Sequence, residues 1–541
     1  MSSGEYHPKL YEPVLLVAGA LIGVLGAIIG VELIVRVGIN PNTSIIGALI
    51  AIGVGYLPTR FTRKYFLNVH RVNIIQTVIS GATFTAGNVL LLGLAVVWLA
   101  GAKAGVLLPY MIYGALVGLL FSGLIDLILA YKIFDSPFYP ASNPWPIGVS
   151  TALSIRAGLE RGKKALLLLY GGIVGALLTY FRYPGDVMGI ALIGNVWAIA
   201  MFGIGLILRA YSPQWFGIDL YKMYAPHGIM IGAGIAAILQ FVILYIRTRR
   251  RMSSPRSSAG SSSPAISTLV SAGEALRSIS LALVLWLIGA AALAFGLGLN
   301  NMMSLSHTIA WILYFGVGAL WTTLVCALSG MHAGWFPAFA TALATLMIGL
   351  LLGFPPVALA IGAAYVAATG PGMADLSYDL KTGWMLRGEG KDPKFERAGR
   401  FWQFLAEIVA LLIALAIVLL VYTGYFTHDL FPPAARTLAT ASFAAADPQL
   451  MNYLLMWAPI GFIVQLIGGP EKQIGILLAT GLMILNPMAG VVSLATIAAR
   501  VILSRIYRER VRDVFFIGGS GSIAGSALTS FLIYTLPLII R

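Results

Sequence analysis

The chain has 541 residues, of which 59% are hydrophobic and only 10% charged, far too little polar surface to cover a water-soluble fold of that size. Its net charge of +15 does not point to nucleic acid, because the Lys and Arg stand in short clusters beside apolar runs, as in the cytoplasmic loops of membrane proteins. The one cysteine, Cys326, lies inside an apolar run and excludes disulfides and a cysteine metal cage.

In chain order, residues 14–35 form a first apolar span, and the MSSGEYHPKLYEP ahead of it lacks a small-residue cleavage pattern, so no removable leader is expected. Glu32, near the end of that span, is expected at headgroup level. A second span, residues 44–57, runs into RFTRKYFLNVHR, whose basic residues argue for the cytoplasm and place the N-terminus there too. The third span carries Asn73, Gln76, Thr77, Thr83, Thr85 and Asn88, and polar groups at that density have to face protein or water. Residues 111–130 contain Asp126, a carboxylate that would cost about 2.5–3.5 kcal/mol facing lipid at the midplane and is expected to face inward.

Residues 143–169, NPWPIGVSTALSIRAGLERGKKALLLL, read as a broken helix. Pro144 and Pro146 lack backbone donors and push the preceding residues out of helical geometry, while Gly148 permits close backbone approach. Irregular backbone in a bilayer survives only against protein or a wet cavity. The helix start would therefore aim free N–H groups, with Ser150 and Thr151, into such a cavity. Residues 431–457 repeat the arrangement: Thr437 follows Pro433 at the spacing at which Ser150 follows Pro146, and GIMIGAG from Gly228 resembles GSIAGSA from Gly521. The two offsets are nearly equal, which implies two duplicated halves, residues 1–246 and 274–541, joined by a basic Ser/Pro-rich cytoplasmic linker over residues 247–273. The fold class expected is an all-α, polytopic membrane protein of about 14–16 transmembrane or re-entrant helices, some of them discontinuous. Counting the first short helix as a crossing leaves RAGLERGKK outside against its charge, so that helix or another is re-entrant.

In the second half, spans over residues 279–297 and 308–328 precede a break at SGMHAGWFPAF and further apolar runs over residues 338–352 and 356–369. GPGMADLSYDLKTGWMLRGEGKDPKFERAGR then reads as the longest charged loop of the chain. Asp375 and Asp379 would share one face of a helix; they either share a proton, hold a cation, or order a cytoplasmic loop by pairing with Lys381. Residues 404–422 carry Glu407 near their start, and spans over residues 454–467, 474–485, 489–503 and 523–540 complete the chain.

Asp375, Asp379, Leu380, Lys381, Thr382 and Gly383 resemble the Asp-x-x-x-Asp-Leu-Lys-Thr-Gly signature of the oligopeptide transporter family, which includes the yellow stripe-like metal-chelate transporters. Asn73-x-x-Gln76-Thr77, Pro144-Trp145-Pro146-x-Gly148 with Ala152, and the glycine-rich helix from Gly518 fall in that family's order. The resemblance implies about sixteen helical elements from a duplicated unit, and proton-coupled uptake of small peptides or metal–ligand complexes, here at the plasma membrane. The chain departs from the family pattern at Ile147, where members often carry an acidic or hydroxyl residue, and at Ser377-Tyr378, where Met-Gln is usual. Both departures bear on substrate choice.

An intramembrane Mg²⁺-dependent transferase would need a second aspartate-rich loop beside Asp375 and Asp379. Neither a His-Glu-x-x-His zinc motif nor a phosphate-binding loop occurs. A channel or receptor for small solutes is the runner-up. The sequence points instead to a secondary carrier working by alternating access, with substrate between the two broken helices, contacted by Ser150, Thr151 and Thr437 with Gln76 nearby. Asp126, ranked ahead of Glu407, is the expected proton carrier, and Asp375, Asp379 and Lys381 an expected gate or cation contact at the cytoplasmic end. No cofactor or metal-ligand set is assigned, and a homo-oligomer is compatible with all of this.

Overall fold

The computed structural model describes residues 7–36, 38, 44–160, 162–253, 268–444 and 448–534. Among them the regular elements are helices, as a hydrocarbon environment requires when every backbone donor and acceptor must be satisfied within its own segment. α1 (Pro13–Arg36), α2 (Ser44–Gly55) and the short α3 (Arg60–Phe66) lead to α4 (Val69–Phe84), which passes through a π-helical stretch, Thr85–Leu91, into α5 (Leu92–Ala104). α6 (Pro109–Ile133) precedes the first proline-started helix, α7 (Pro146–Glu160). After it come α8 (Lys163–Tyr180), α9 (Gly185–Ile193), α10 (Val196–Phe216) and α11 (Ala225–Ser253). α12 (Ala272–Gly296) opens the remainder, followed by α13 (Leu305–Ala333), α14 (Ala338–Leu351), α15 (Pro356–Ala367) and α16 (Pro371–Leu386). α17 (Pro393–Thr427) leads to the second proline-started helix, α18 (Pro433–Ser442). The chain then runs through α19 (Pro448–Lys472), α20 (Ile474–Met483), α21 (Pro487–Tyr507) and α22 (Arg512–Tyr534). Among the described residues, twelve helical stretches are long and apolar enough to cross a membrane, and four shorter apolar helices accompany them. The protein is an all-α, multi-pass membrane protein.

One sequence expectation is corrected. The stretch holding Asp375 and Asp379 is not a solvated loop: it is α16, which with α15 forms a span buried throughout, and the loop proper is confined to residues 387–392. Glu32 is buried within the protein, accepting from Arg36 Nε at 3.1 Å and from the Tyr425 hydroxyl. The loop expectation failed because a charged residue in an apolar sequence reads as solvated until its partners are known. Of the linker expected over residues 247–273, residues 254–267 lie outside the described residues. Residues 247–253 continue α11, and Ser271 caps α12 in a capping box with Glu274.

Two close helix crossings frame the bundle, α8 against α22 and α11 against α19. In each, glycines let backbones touch, the usual device where lipid supplies no hydrophobic drive between helices. A carbon atom added at Gly232 would fall on the carbonyl oxygen of Ala458, and one at Gly461 on that of Ile229; Gly175 stands likewise against Ser522 and Gly525 against Gly172. The GIMIGAG and GSIAGSA strings are thus the contact faces of α11 and α22. Gly232→Ala or Gly525→Ala is expected to lower the melting temperature in detergent, since overpacking at about 1–3 kcal/mol outweighs the helix-propensity gain of about 1 kcal/mol. Gly53→Ala, which meets open space, is expected to leave the melting temperature unchanged or raise it.

Candidate functional site

Helix α16 is packed on all sides, against α4, α6, α7, α13 and α17, so each charged group on it needs a partner from the protein. Lys381 answers carbonyls rather than carboxylates. Its Nζ donates to Ala141 O at 2.7 Å and Asn143 O at 3.2 Å and lies over the Trp384 ring. The Asp–Lys pairing expected from the sequence is therefore replaced by a tie to the segment that starts α7. Thr382 Oγ1 donates to Gly148 O at 3.0 Å, and Gly148 leaves no room for a side chain against Tyr378 O. The Asp-Leu-Lys-Thr-Gly string and the Pro-Trp-Pro-x-Gly string are in effect two halves of one joint.

Asp126, from α6, supplies the cap at the break between α15 and α16. Gly370 stands there at φ +94°, and the free N–H groups of a helix start need acceptors. The carboxylate takes Gly370 N at 2.8 Å and Met373 N at 2.6 Å on Oδ2, and the Thr323 hydroxyl at 2.7 Å on Oδ1.

Asp375 and Asp379 meet Glu407 of α17, and the three buried carboxylates offer oxygens that all lie within 4.8 Å of one another. Ser80 donates to Asp375 at 2.6 Å and Ser44 to Asp379 at 3.2 Å, with Ser44 also donating to Ser80. Asp375 Oδ2, Asp379 Oδ2 and Glu407 Oε1 accept from no protein group. Gly81 makes room for the Glu407 carboxylate, since a side-chain carbon there would collide with it. Three carboxylates so close cannot all stay ionised in a dry interior without protons or a cation between them.

Beyond the triad, an ionic network ties α16 and α17 to the start of α12. Arg387 grips Glu396 with two bonds, of 2.8 and 2.9 Å, and donates to Gln403 at 2.7 Å. Gln403 in turn donates to Asp379 O at 2.6 Å and to Thr77 at 3.2 Å. Arg400 joins Glu396 at 2.8 Å to Asp135 at 3.1 Å, and Asp135 accepts from Leu269 N. His7 roofs this network against His70 and Phe395; burial first, and the Arg387 charge next, push its imidazole down to about 3.

On the other side of α16 a cavity of about 450 Å³ opens where chain breaks converge. Ile147 from the start of α7, Pro433 and Thr437 from the start of α18, Trp335 to Pro337 between α13 and α14, and Ile484 to Asn486 between α20 and α21 all line it. Asn88, Arg209 and Tyr378 are among its lining residues, and their Nδ2, Nε and hydroxyl oxygen are buried without a protein partner. Asn88 stands in the π-helical stretch, a distortion that recurs at functional sites. The OPT oligopeptide transporter family profile matches residues 13–216 and 183–536, together nearly the whole chain. The chain belongs to the OPT oligopeptide transporter family. No curated protein matches it. As a member of that family it is a membrane transporter of oligopeptides or related solutes.

In this OPT transporter the sequence-derived substrate residues are spread out. Thr437 lines the cavity. Ser150, on α7, turns away into α22, donating to Phe516 O at 3.0 Å and bonding the Ser520 hydroxyl, and Thr151 is buried without lining the cavity. Gln76 lies on the carboxylate side of α16, against Asp379. Asp126 and Glu407 are separated in role: three donors surround the first, while the second faces Asp375 and Asp379. Sequence reasoning missed Arg209 and did not place Asn88 or Tyr378 at a cavity. A lone arginine inside the apolar run 196–216 was a usable signal for the first. For Asp126→Asn, the amide oxygen can still take Gly370 N and Met373 N, but as neutral rather than charge-assisted bonds, and the loss is expected to be about 1 kcal/mol per bond, read as a lower melting temperature in detergent. A melting temperature equal to that of the unmodified protein, with pH-driven accumulation lost, would restore Asp126 as a proton carrier.

Proposed function

We propose that this protein is a secondary carrier that moves small peptides or peptide-like metal chelates across the plasma membrane by alternating access, coupled to protons. The observation that carries this reading is the meeting of both proline-started helices, α7 and α18, at one cavity that α16 separates from the carboxylate triad. Tyr378 faces the cavity, and Asp375 and Asp379 flank it on the same helix. A small rotation or shift of α16 therefore acts on substrate and coupling ion together. The two halves supply matching parts, since α8 packs on α22 as α11 packs on α19, and α10 on α20 as α9 on α21. Rocking of such matched units about a central site is how duplicated carriers alternate access. A channel would need a continuous polar path, and α16, packed all round, interrupts one.

Arg209 and Thr437 are the substrate contacts in this reading, with Asn88 and Tyr378 completing the polar lining. Arg209 lies over the Tyr221 ring at 4.1 Å and has only a loose ion pair with Asp219, at 3.7 Å, so its guanidinium is available to a substrate carboxylate. Ser150 acts indirectly, by holding α7 on α22. Glu407, with Asp375 and Asp379, carries the coupling proton, and Asp126 holds the α15–α16 break.

Proteoliposomes offered di- to tetrapeptides and metal chelates are expected to show saturable uptake that an inward proton gradient accelerates. Steady ion conductance without saturable uptake would replace the carrier with a channel. Glu407→Gln is expected to abolish gradient-driven accumulation while leaving substrate counterflow intact; loss of both would make Glu407 structural.

Arg209→Met is expected to raise KM about 10- to 100-fold, from a charged hydrogen bond of about 1.5–3 kcal/mol. Thr437→Ala is expected to raise it up to about tenfold, from a neutral bond of about 0.5–1.5 kcal/mol. An unchanged KM for both variants, measured by initial uptake rates, would move the substrate out of this cavity.

A further inference from the structure

The carboxylate cluster has a second property that proton coupling does not require. Its three carboxylates gather from α16 and α17, each with one oxygen that accepts from no protein group, and among the described residues no cation pairs with them: Lys381 is spent on Ala141 O and Asn143 O, and Arg387 on Glu396 and Gln403. A fourth oxygen joins them from a separate helix. Gln76 of α4 is fully buried beside Asp379, its amide nitrogen donates to Asn73 and Thr77, and its Oε1 accepts from no protein group. An amide oxygen is a good ligand for a hard cation.

We propose that Asp375, Asp379, Glu407 and Gln76 form a binding site for one divalent cation of calcium size. The ligand set is all oxygen, which excludes soft metals on chemistry. The carboxylate oxygens all lie within 4.8 Å of one another, so one ion whose oxygens stand at about 2.4 Å, the Ca²⁺ range, reaches all of them, and a fully buried site disfavours Mg²⁺, which dehydrates reluctantly. Three carboxylates also favour a double over a single positive charge, because a monovalent ion would leave more negative charge uncompensated in a dry site. Ser44 and Ser80, donating to Asp379 and Asp375, hold two of the carboxylates in place from α2 and α4. The Gln403 bridge from Arg387 to Asp379 O and Thr77 fixes the backbone on which they sit. This inference rests on the geometry of the cluster and not on the carrier reading.

Equilibrium binding of radioactive Ca²⁺ to the purified full-length protein in metal-stripped detergent buffer tests it. One saturable Ca²⁺ per chain is expected, with Mg²⁺ competing at least tenfold more weakly and Na⁺ not competing at millimolar concentration. Asp379→Asn and Glu407→Gln are each expected to weaken binding at least tenfold, and Gln76→Leu severalfold, while Thr437→Ala leaves it unchanged. A rise in melting temperature with Ca²⁺ should appear in the unmodified protein and vanish in Glu407→Gln, whichever of the carboxylate variants folds less well. No saturable Ca²⁺, Na⁺ bound in its place, or binding unaffected by both carboxylate variants would overturn the assignment. Loss of Ca²⁺ binding together with intact peptide uptake would overturn this inference alone, and Ca²⁺ binding without any saturable uptake would overturn the carrier reading alone.

Discussion

Helix α16 carries two carboxylates and an ammonium through the middle of a protein that gives them no water, and the surrounding helices are arranged to answer those charges. The ammonium of Lys381 is matched to two carbonyls at the entry of α7, so satisfying it also fixes where the first proline-started helix begins. The N-terminal N–H groups of α16 are matched to Asp126 from α6. The carboxylates are matched only in part, by Ser44 and Ser80. An unpaired buried donor or acceptor costs more than a good hydrogen bond contributes. The half that is left unmatched is therefore the half to associate with an exchangeable partner.

This division separates residues that resemble each other in the sequence. Asp126 and Glu407 are both single acidic residues in apolar runs, yet one is surrounded by donors and the other by acceptors. The first environment satisfies the carboxylate within the protein and serves architecture. The second makes the charge depend on what else is bound, which is the condition for coupling. Arg209 makes a third case, a cation at the wall of a cavity with its Nε unpartnered, suited to a ligand that carries negative charge.

The glycine-packed crossings and the chain breaks serve the same design at another scale. Gly232 against Ala458 and Gly525 against Gly172 bring backbones into contact where lipid offers no hydrophobic drive, giving rigid pairs of helices. The breaks at Gly334, Gly370 and Ile484 to Asn486 interrupt helices only where protein or the cavity receives the freed backbone groups. Rigid pairs around broken, cavity-lining segments form a frame in which motion is confined to the breaks.

Composition and hydrophobic run length by themselves determined the membrane class, the all-α architecture and most helix positions, because only a helix satisfies its backbone in hydrocarbon and the required length is set by the bilayer. The proline and glycine punctuation located the breaks at Pro146 and Pro433, and the Asp-Leu-Lys-Thr-Gly string pointed to the family. What sequence could not decide was which side of a helix each polar residue faces and what it meets there. Ser150 was readable as a cavity hydroxyl until α22 was found against it; Asp375 and Asp379 were readable as a solvated loop until α4, α6, α7, α13 and α17 enclosed them; Glu407 came to them from α17, and Arg209 reached the cavity from α10. These are contacts between segments far apart in the chain. Charge and polarity are local properties of a sequence, but whether a charge is paired, capped or left waiting is fixed only when distant helices close around it.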